Sequence, residues 1–178
     1  MIIYFVRHAS AGKKVLSAKK DERRPLDDEG ILQARYAGRL LANLDVQVEH
    51  VISSPLTRAL QTASLVANEL AFEGPVERSD TLRPESQFGD FQELAAKFRN
   101  AEAIMVVGHN PSLTDFICRL VGQNPDSAPA HIELKKGAAA KVEMNGRTGM
   151  LQWLITPKIA RALQASLKTS SRPKTSRK

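Results

Sequence analysis

The chain has 178 residues and carries 26 Lys+Arg against 19 Asp+Glu, a formal charge of +7. That excess is confined to residues 158–178, with seven basic side chains and no acidic one, while residues 1–157 carry 19 of each sign. A neutral body of this size argues against a nucleic-acid-binding fold and suits one domain, residues 1–157, followed by a basic tail expected to be partly disordered.

The opening apolar run, residues 2–6, ends at Arg7-His8. It is far short of a signal-peptide core or of the ~20 residues that a membrane span requires. The single cysteine, Cys118, cannot form an internal disulfide, and the sequence has no CxxC or HExxH from which to build a metal site. A cytoplasmic protein without metal, cofactor or membrane partner is expected.

Residues 2–6 read as the first strand. Asp27 and Asp28 then mark a helix start, with Ala37, Leu40, Leu41 and Leu44 as its apolar stripe. A second strand, 50–53, runs through Ser54-Pro55 into a helix striped by Leu56, Ala59, Leu60, Ala63, Ala67 and Leu70. Residues 76–79 make a third strand, and Phe91, Leu94, Ala95 and Phe98 the next helical face. The fourth strand, 103–107, is wholly apolar, and Asn110-Pro111 opens a helix faced by Leu113, Phe116, Ile117, Leu120 and Val121. Ser112-x-x-Asp115 has the spacing of a capping box.

Residues 138–144 and 149–155 alternate in polarity around Asn145-Gly146, which predicts an antiparallel hairpin. Trp153 falls on one face with Leu151 and Ile155, and is read as core. From Lys158 a short amphipathic stretch (Ile159, Ala162, Leu163, Leu167) leads into Ser/Lys/Arg/Pro sequence expected to fray. Short strands alternating with helices predict an α/β fold of three layers, α/β/α. Its sheet is mostly parallel with an antiparallel edge, and the apolar first and fourth strands are central.

In such a sheet ligands bind beyond the carboxyl ends of the strands. Arg7-His8 follows the first strand, Ser53-Ser54-Pro55-x-x-Arg58 the second, and Gly108-His109-Asn110-Pro111 the fourth. Two guanidiniums, two imidazoles and two helix N-termini on one rim favour a phosphoryl group. His8, at the end of a rigid strand, is the better nucleophile; His109, at a helix mouth, is better placed to donate to phosphoryl oxygens. Taken singly, each group has a bland reading as a loop pair or a helix cap; the case lies in their coincidence at equivalent points of the fold.

These segments, Val6-Arg7-His8-Ala9, Ser53-Ser54-Pro55-x-x-Arg58-Ala59-x-Gln61-Thr62-Ala63 and Val107-Gly108-His109-Asn110-Pro111, resemble the histidine phosphatase (phosphoglycerate-mutase-like) superfamily. Arg24-Pro25-Leu26-x-x-x-Gly30 and the lack of a large cap insertion are similar to its SixA-type phosphohistidine phosphatases. The resemblance implies transient phosphorylation of His8, a phosphoryl group held by Arg7, Arg58 and His109, Arg24 as an added substrate contact, and inorganic phosphate as product. One departure is Ala9, where the wider superfamily usually has Gly.

Many relatives protonate an alkoxide leaving group with a Glu after the third strand. The candidate here, Glu85, reads rather as a solvated loop carboxylate. Imidazole leaves more readily than alkoxide, which favours P–N over P–O cleavage and a phosphohistidine-bearing phosphotransfer or carrier protein as substrate. Residues 13–24, with six basic side chains against Asp21 and Glu22, border the expected pocket mouth and could steer an acidic partner.

The alternatives are a small-molecule phosphomonoesterase of the same fold, a non-catalytic phospho-ligand binding module, and a tail that anchors the domain to nucleic acid or an anionic surface. His50 and His131 are read as structural or surface residues, Cys118 as packed, and Asp115/Arg119 as a helical ion pair worth a few tenths of a kcal/mol.

Overall fold

The structure is a computed structural model that describes residues 1–14, 16–122 and 131–170. Its strands are β1 (Ile2–Arg7), β2 (His50–Ser53), β3 (Val76–Arg78), β4 (Ala103–Gly108), β5 (Ala139–Asn145) and β6 (Thr148–Ile155). The helices are α1 (Ala18–Glu22), α2 (Asp28–Asn43), α3 (Thr57–Glu69), α4 (Phe88–Lys97), α5 (Ser112–Val121) and α6 (Pro157–Ser170).

The strands form one sheet in the order β3-β2-β4-β1-β5-β6. β3, β2, β4 and β1 are mutually parallel, and β5 and β6 add an antiparallel edge. β4 and β1, whose central residues are buried on both faces, occupy the middle as expected.

Alternation along β1 divides the core between the two faces of the sheet. Ile3 and Phe5 join Ile104, Val106, Phe91, Leu94, Phe116 and Ile117 under α4 and α5. Tyr4 and Val6 join Val51, Met105, Leu41, Ala63 and Val66 under α2 and α3. The result is the three-layer α/β/α arrangement expected from the sequence.

Local chemistry explains the helix starts, and corrects two of them. Asp27 caps α2 through Gly30 N (2.7 Å). Ser54-Pro55 does not cap α3, which begins at Thr57 behind Leu56. Its hydroxyl is engaged elsewhere. The Ser112/Asp115 box does not form either, because Ser112 lies inside the helix and donates to Arg83 O and His109 O, while Asp115 pairs with Arg119. Within the basic segment 13–24, residues 18–22 form α1, a helix with no buried residue that the sequence pattern did not announce.

The hairpin departs from simple alternation at two points. Asn145 still pairs with Thr148, so the loop is Gly146-Arg147, and glycine with φ +61° in first place matches a type II′ turn. A bulge then lets Lys141 oppose Trp153 and Val142 oppose Leu151, leaving Gln152 unpaired. Trp153 therefore does not share a face with Leu151. It packs with Tyr4 on the α2/α3 side, ring centroids 5.9 Å apart, whereas Leu151 and Leu154 lie against the α4/α5 core.

The amphipathic stretch after residue 157 continues the fold. α6 packs on α2 with Ala160 and Gln164 buried, so packed structure continues past residue 157. The remainder of the tail, 171–178, lies outside the described residues.

Candidate active site

Parallel strands bring their carboxyl ends to one edge, and the ladder sets the spacing. Arg7 pairs with Gly108 across β1 and β4, Ser53 pairs with Val107 across β2 and β4, and His8 N donates to Gly108 O at 2.9 Å. His8 and His109, one residue beyond each strand, consequently face one another with ring centroids 4.9 Å apart. Arg58, in the first turn of α3, joins them on a cavity of about 600 Å³ that is also lined by Arg24, Arg83, Glu85, Asn110 and Lys136.

The His8 ring is fixed from one side. Its Nδ1 lies 2.7 Å from Ala9 O, so Nδ1–H donates to that carbonyl and Nε2 is the unprotonated atom of the neutral ring. The turn beneath is pinned by Thr62, whose Oγ1 accepts from Ala9 N and donates to Arg58 O. One hydroxyl thus ties the residue after His8 to the helix that carries Arg58.

Gly30 explains part of the sequence pattern after Arg24. A β-carbon there would collide with Ser10 O, so glycine lets the start of α2 press against the loop that follows His8. Asp27 holds the same loop by accepting from Ser10 Oγ (2.8 Å) and Gly12 N (2.7 Å).

Both imidazoles are almost fully buried and resist protonation. Burial is the largest cause for His8, with Arg58, Arg7 and Lys136 adding repulsion, and together they lower its pKa to about 3. His109 is lowered likewise by burial, then by His8 and the surrounding guanidiniums. Burial also lowers Arg7 and Arg58, more than Glu133 and Asp21 respectively raise them.

Five buried side-chain polar atoms have no hydrogen-bond partner among the described residues: Arg7 Nε, Arg58 Nε, His109 Nδ1, Asn110 Oδ1 and Thr114 Oγ1. The first three are nitrogens of residues expected at this rim. Leaving such atoms unmatched inside the protein is costly, and the two guanidinium nitrogens are donors, the polarity that an oxyanion satisfies.

Arg24 reaches the cavity, but its hydrogen bonds go to Asp21, Ala11 O and Gly12 O, so in this conformation it braces the loop after His8. Glu85 lies on the cavity wall, exposed, as well as on a loop. Two further lining groups escaped the sequence reading. Asp21 pairs with both Arg58 and Arg24, and Arg83 pairs with Asp80 and Glu22. Asp21 stood inside a segment read only for its positive charge, and Arg83 beside Glu85 offered no spacing signal.

The remaining candidates stay outside the site. His50 pairs with Glu77 and packs on Phe98, His131 is exposed beside Asn110 and Pro111, and Cys118 is half-buried on α5.

Residues 3–103 match the histidine phosphatase superfamily (branch 1), and the chain belongs to that family. It is 26% identical over 168 residues to phosphohistidine phosphatase SixA of Escherichia coli (strain K12), covering 92% of this chain and 100% of SixA. It is 27% identical over 146 residues to the mitochondrial serine/threonine-protein phosphatase Pgam5 of Drosophila mojavensis, of whose length it spans half. Among solved structures, the protein histidine phosphatase SixA complexed with tungstate superposes with a TM-score of 0.75 at 25% identity, covering 89% of this chain and 98% of that one. The fold is thus that of SixA and of phosphoglycerate-mutase-like proteins, and the two relatives named above are phosphatases.

Among the described residues no helix is long and apolar enough to cross a membrane.

Proposed function

We propose that the chain hydrolyses the phosphoryl group of a protein phosphohistidine through a covalent intermediate on His8. The observation that carries the reading is that His8, whose free atom is Nε2, faces the His109 ring and shares one cavity with it and with Arg58, and that Arg58 and His109 each keep a buried nitrogen without a hydrogen-bond partner among the described residues. In the first step His8 Nε2 attacks phosphorus as the P–N bond to the substrate imidazole breaks, and that imidazole leaves neutral, keeping the proton it already bore on its other ring nitrogen. In the second, water attacks phospho-His8, the N–P bond breaks and inorganic phosphate departs. Arg7, Arg58 and His109 hold the phosphoryl oxygens, where charge builds in both transition states.

The positive charge at this pocket is supplied by guanidiniums, and no step calls for a metal or cofactor. The likeness to SixA over nearly the whole of both chains supports phosphohistidine as the substrate, and a phosphotransfer or carrier protein as its bearer. The 600 Å³ cavity has room for a side chain carried on a protein surface.

Incubation with a labelled phosphohistidine peptide tests this reading: an acid-labile, base-stable phosphoenzyme should form and vanish in His8→Ala. No label on wild-type protein would leave only a binding module. Because Glu85 lies on the same cavity, a second reading, a small-molecule phosphomonoesterase, makes a separate demand. Under it Glu85→Gln would slow aryl or alkyl phosphate hydrolysis strongly and phosphohistidine hydrolysis little.

A further inference from the structure

Ser54 is fully buried at the end of β2 and contributes to no helix cap. Its Oγ lies 2.9 Å from His109 Nε2, and Leu56 N–H donates to the same oxygen at 3.4 Å. A hydroxyl has one hydrogen to give and two lone pairs to receive, so only two arrangements fit.

In the first, Ser54 O–H donates to Nε2 and its oxygen accepts from Leu56. The proton of neutral His109 is then on Nδ1, the atom buried without a partner. In the second, Nε2–H donates to Ser54. This leaves the Ser54 hydrogen without an acceptor among the described residues and Nδ1 as an unmatched lone pair. The first strands one group and the second strands two, both deep inside the protein, so the first prevails. The one group it strands is a donor, the polarity that an oxyanion completes.

We propose that Ser54 is a positioning residue that fixes the His109 proton on Nδ1 and so turns an uncharged imidazole into an oxyanion donor. Its catalytic consequence rests on the reading of the pocket given above; the tautomer does not. The device matters because burial keeps His109 uncharged, and an uncharged ring offers a proton on one side only.

The test is long-range 1H–15N spectroscopy of the full chain at neutral pH, with His109 assigned by its loss in His109→Gln. Wild type and Ser54→Thr should show a protonated Nδ1 and a bare Nε2, and Ser54→Ala a shift of both signals toward the average of two tautomers. With a phosphoramidate substrate, Ser54→Ala should lose about 10- to 100-fold in kcat and little in KM, and Ser54→Thr should restore it. A wild-type ring protonated on Nε2 overturns the proposal. So does a Ser54→Ala protein with the wild-type tautomer. A wild-type chain without turnover would end the phosphatase reading, and the spectrum would still decide the role of Ser54.

Discussion

Asp21 grips Arg58 twice, through its carbonyl at 2.8 Å and its carboxylate at 3.2 Å, while its other oxygen holds Arg24 at 2.9 Å. The carboxylate balances a guanidinium that is almost wholly buried, in the place where an incoming phosphoryl group would also supply negative charge. Asp21→Ala should therefore cost about 2–3 kcal/mol in urea unfolding, as a buried charge loses its partner. Phosphate or tungstate should raise the Tm of the variant more than that of wild type, since the anion takes over the lost contact. An equal rise in both proteins would show that Asp21 and the anion do not share Arg58.

Acid should loosen the fold through the two imidazoles. In the unfolded chain a histidine takes up a proton near pH 6.5, but in the folded chain His8 does so only near 3. Between these values the unfolded state binds more protons, so stability is fully present above pH 6.5 and declines as pH falls toward 3. From pH 7 to 5 the loss should be on the order of 2 kcal/mol per imidazole. Urea titrations at both pH values should give His8→Gln a visibly shallower decline than wild type; parallel declines would contradict the depressed pKa.

Gly30 sets two rules against each other. Inside a helix, alanine is favoured over glycine by about 1 kcal/mol, which alone would make Gly30→Ala stabilising. The collision with Ser10 O predicts the reverse, a net loss of about 1–3 kcal/mol, together with slower turnover because Ser10 is two residues from His8. Thermal unfolding decides the sign.

The final helix offers a paired comparison. Ala160 is 1% exposed and Leu163 46% exposed. Ala160→Asp should cost about 3 kcal/mol by burying an unpaired carboxylate, whereas Leu163→Lys should stay within about 0.5 kcal/mol. Ending the chain after Ser170 should leave turnover intact, and ending it after Thr156 should destabilise the domain. Equal stability of the two truncated proteins would restore a boundary at residue 157.

Much of this arrangement was legible because it is periodic or sits at a fixed offset from an apolar strand. The runs at 2–6 and 103–107 marked the central strands, and their carboxyl ends located His8 and His109. What escaped depends on contacts between distant segments. The bulge at Gln152 leaves no trace in a hydropathy pattern, so the alternation groups Leu151 with Trp153 although the two lie on opposite faces. Asp21 acquires its role only when α1 folds over Arg58, 37 positions away. Ser54-Pro55 has the chemistry of a helix cap, but Ser54 Oγ meets His109 from 55 positions away instead. Local spacing carried the scaffold; side-chain pairings across the fold had to be seen.

The β1–β4 ladder has a consequence for how such a pocket can diversify. Because Arg7 is registered against Gly108, the two imidazoles follow directly from one hydrogen-bonded pair of ribbons, which sets their separation. Lys14, Leu16, Pro84 and Glu85, which also line the cavity, belong to neither ribbon. Exchanging them would reshape the cavity wall while the strand register beneath the two rings stays the same.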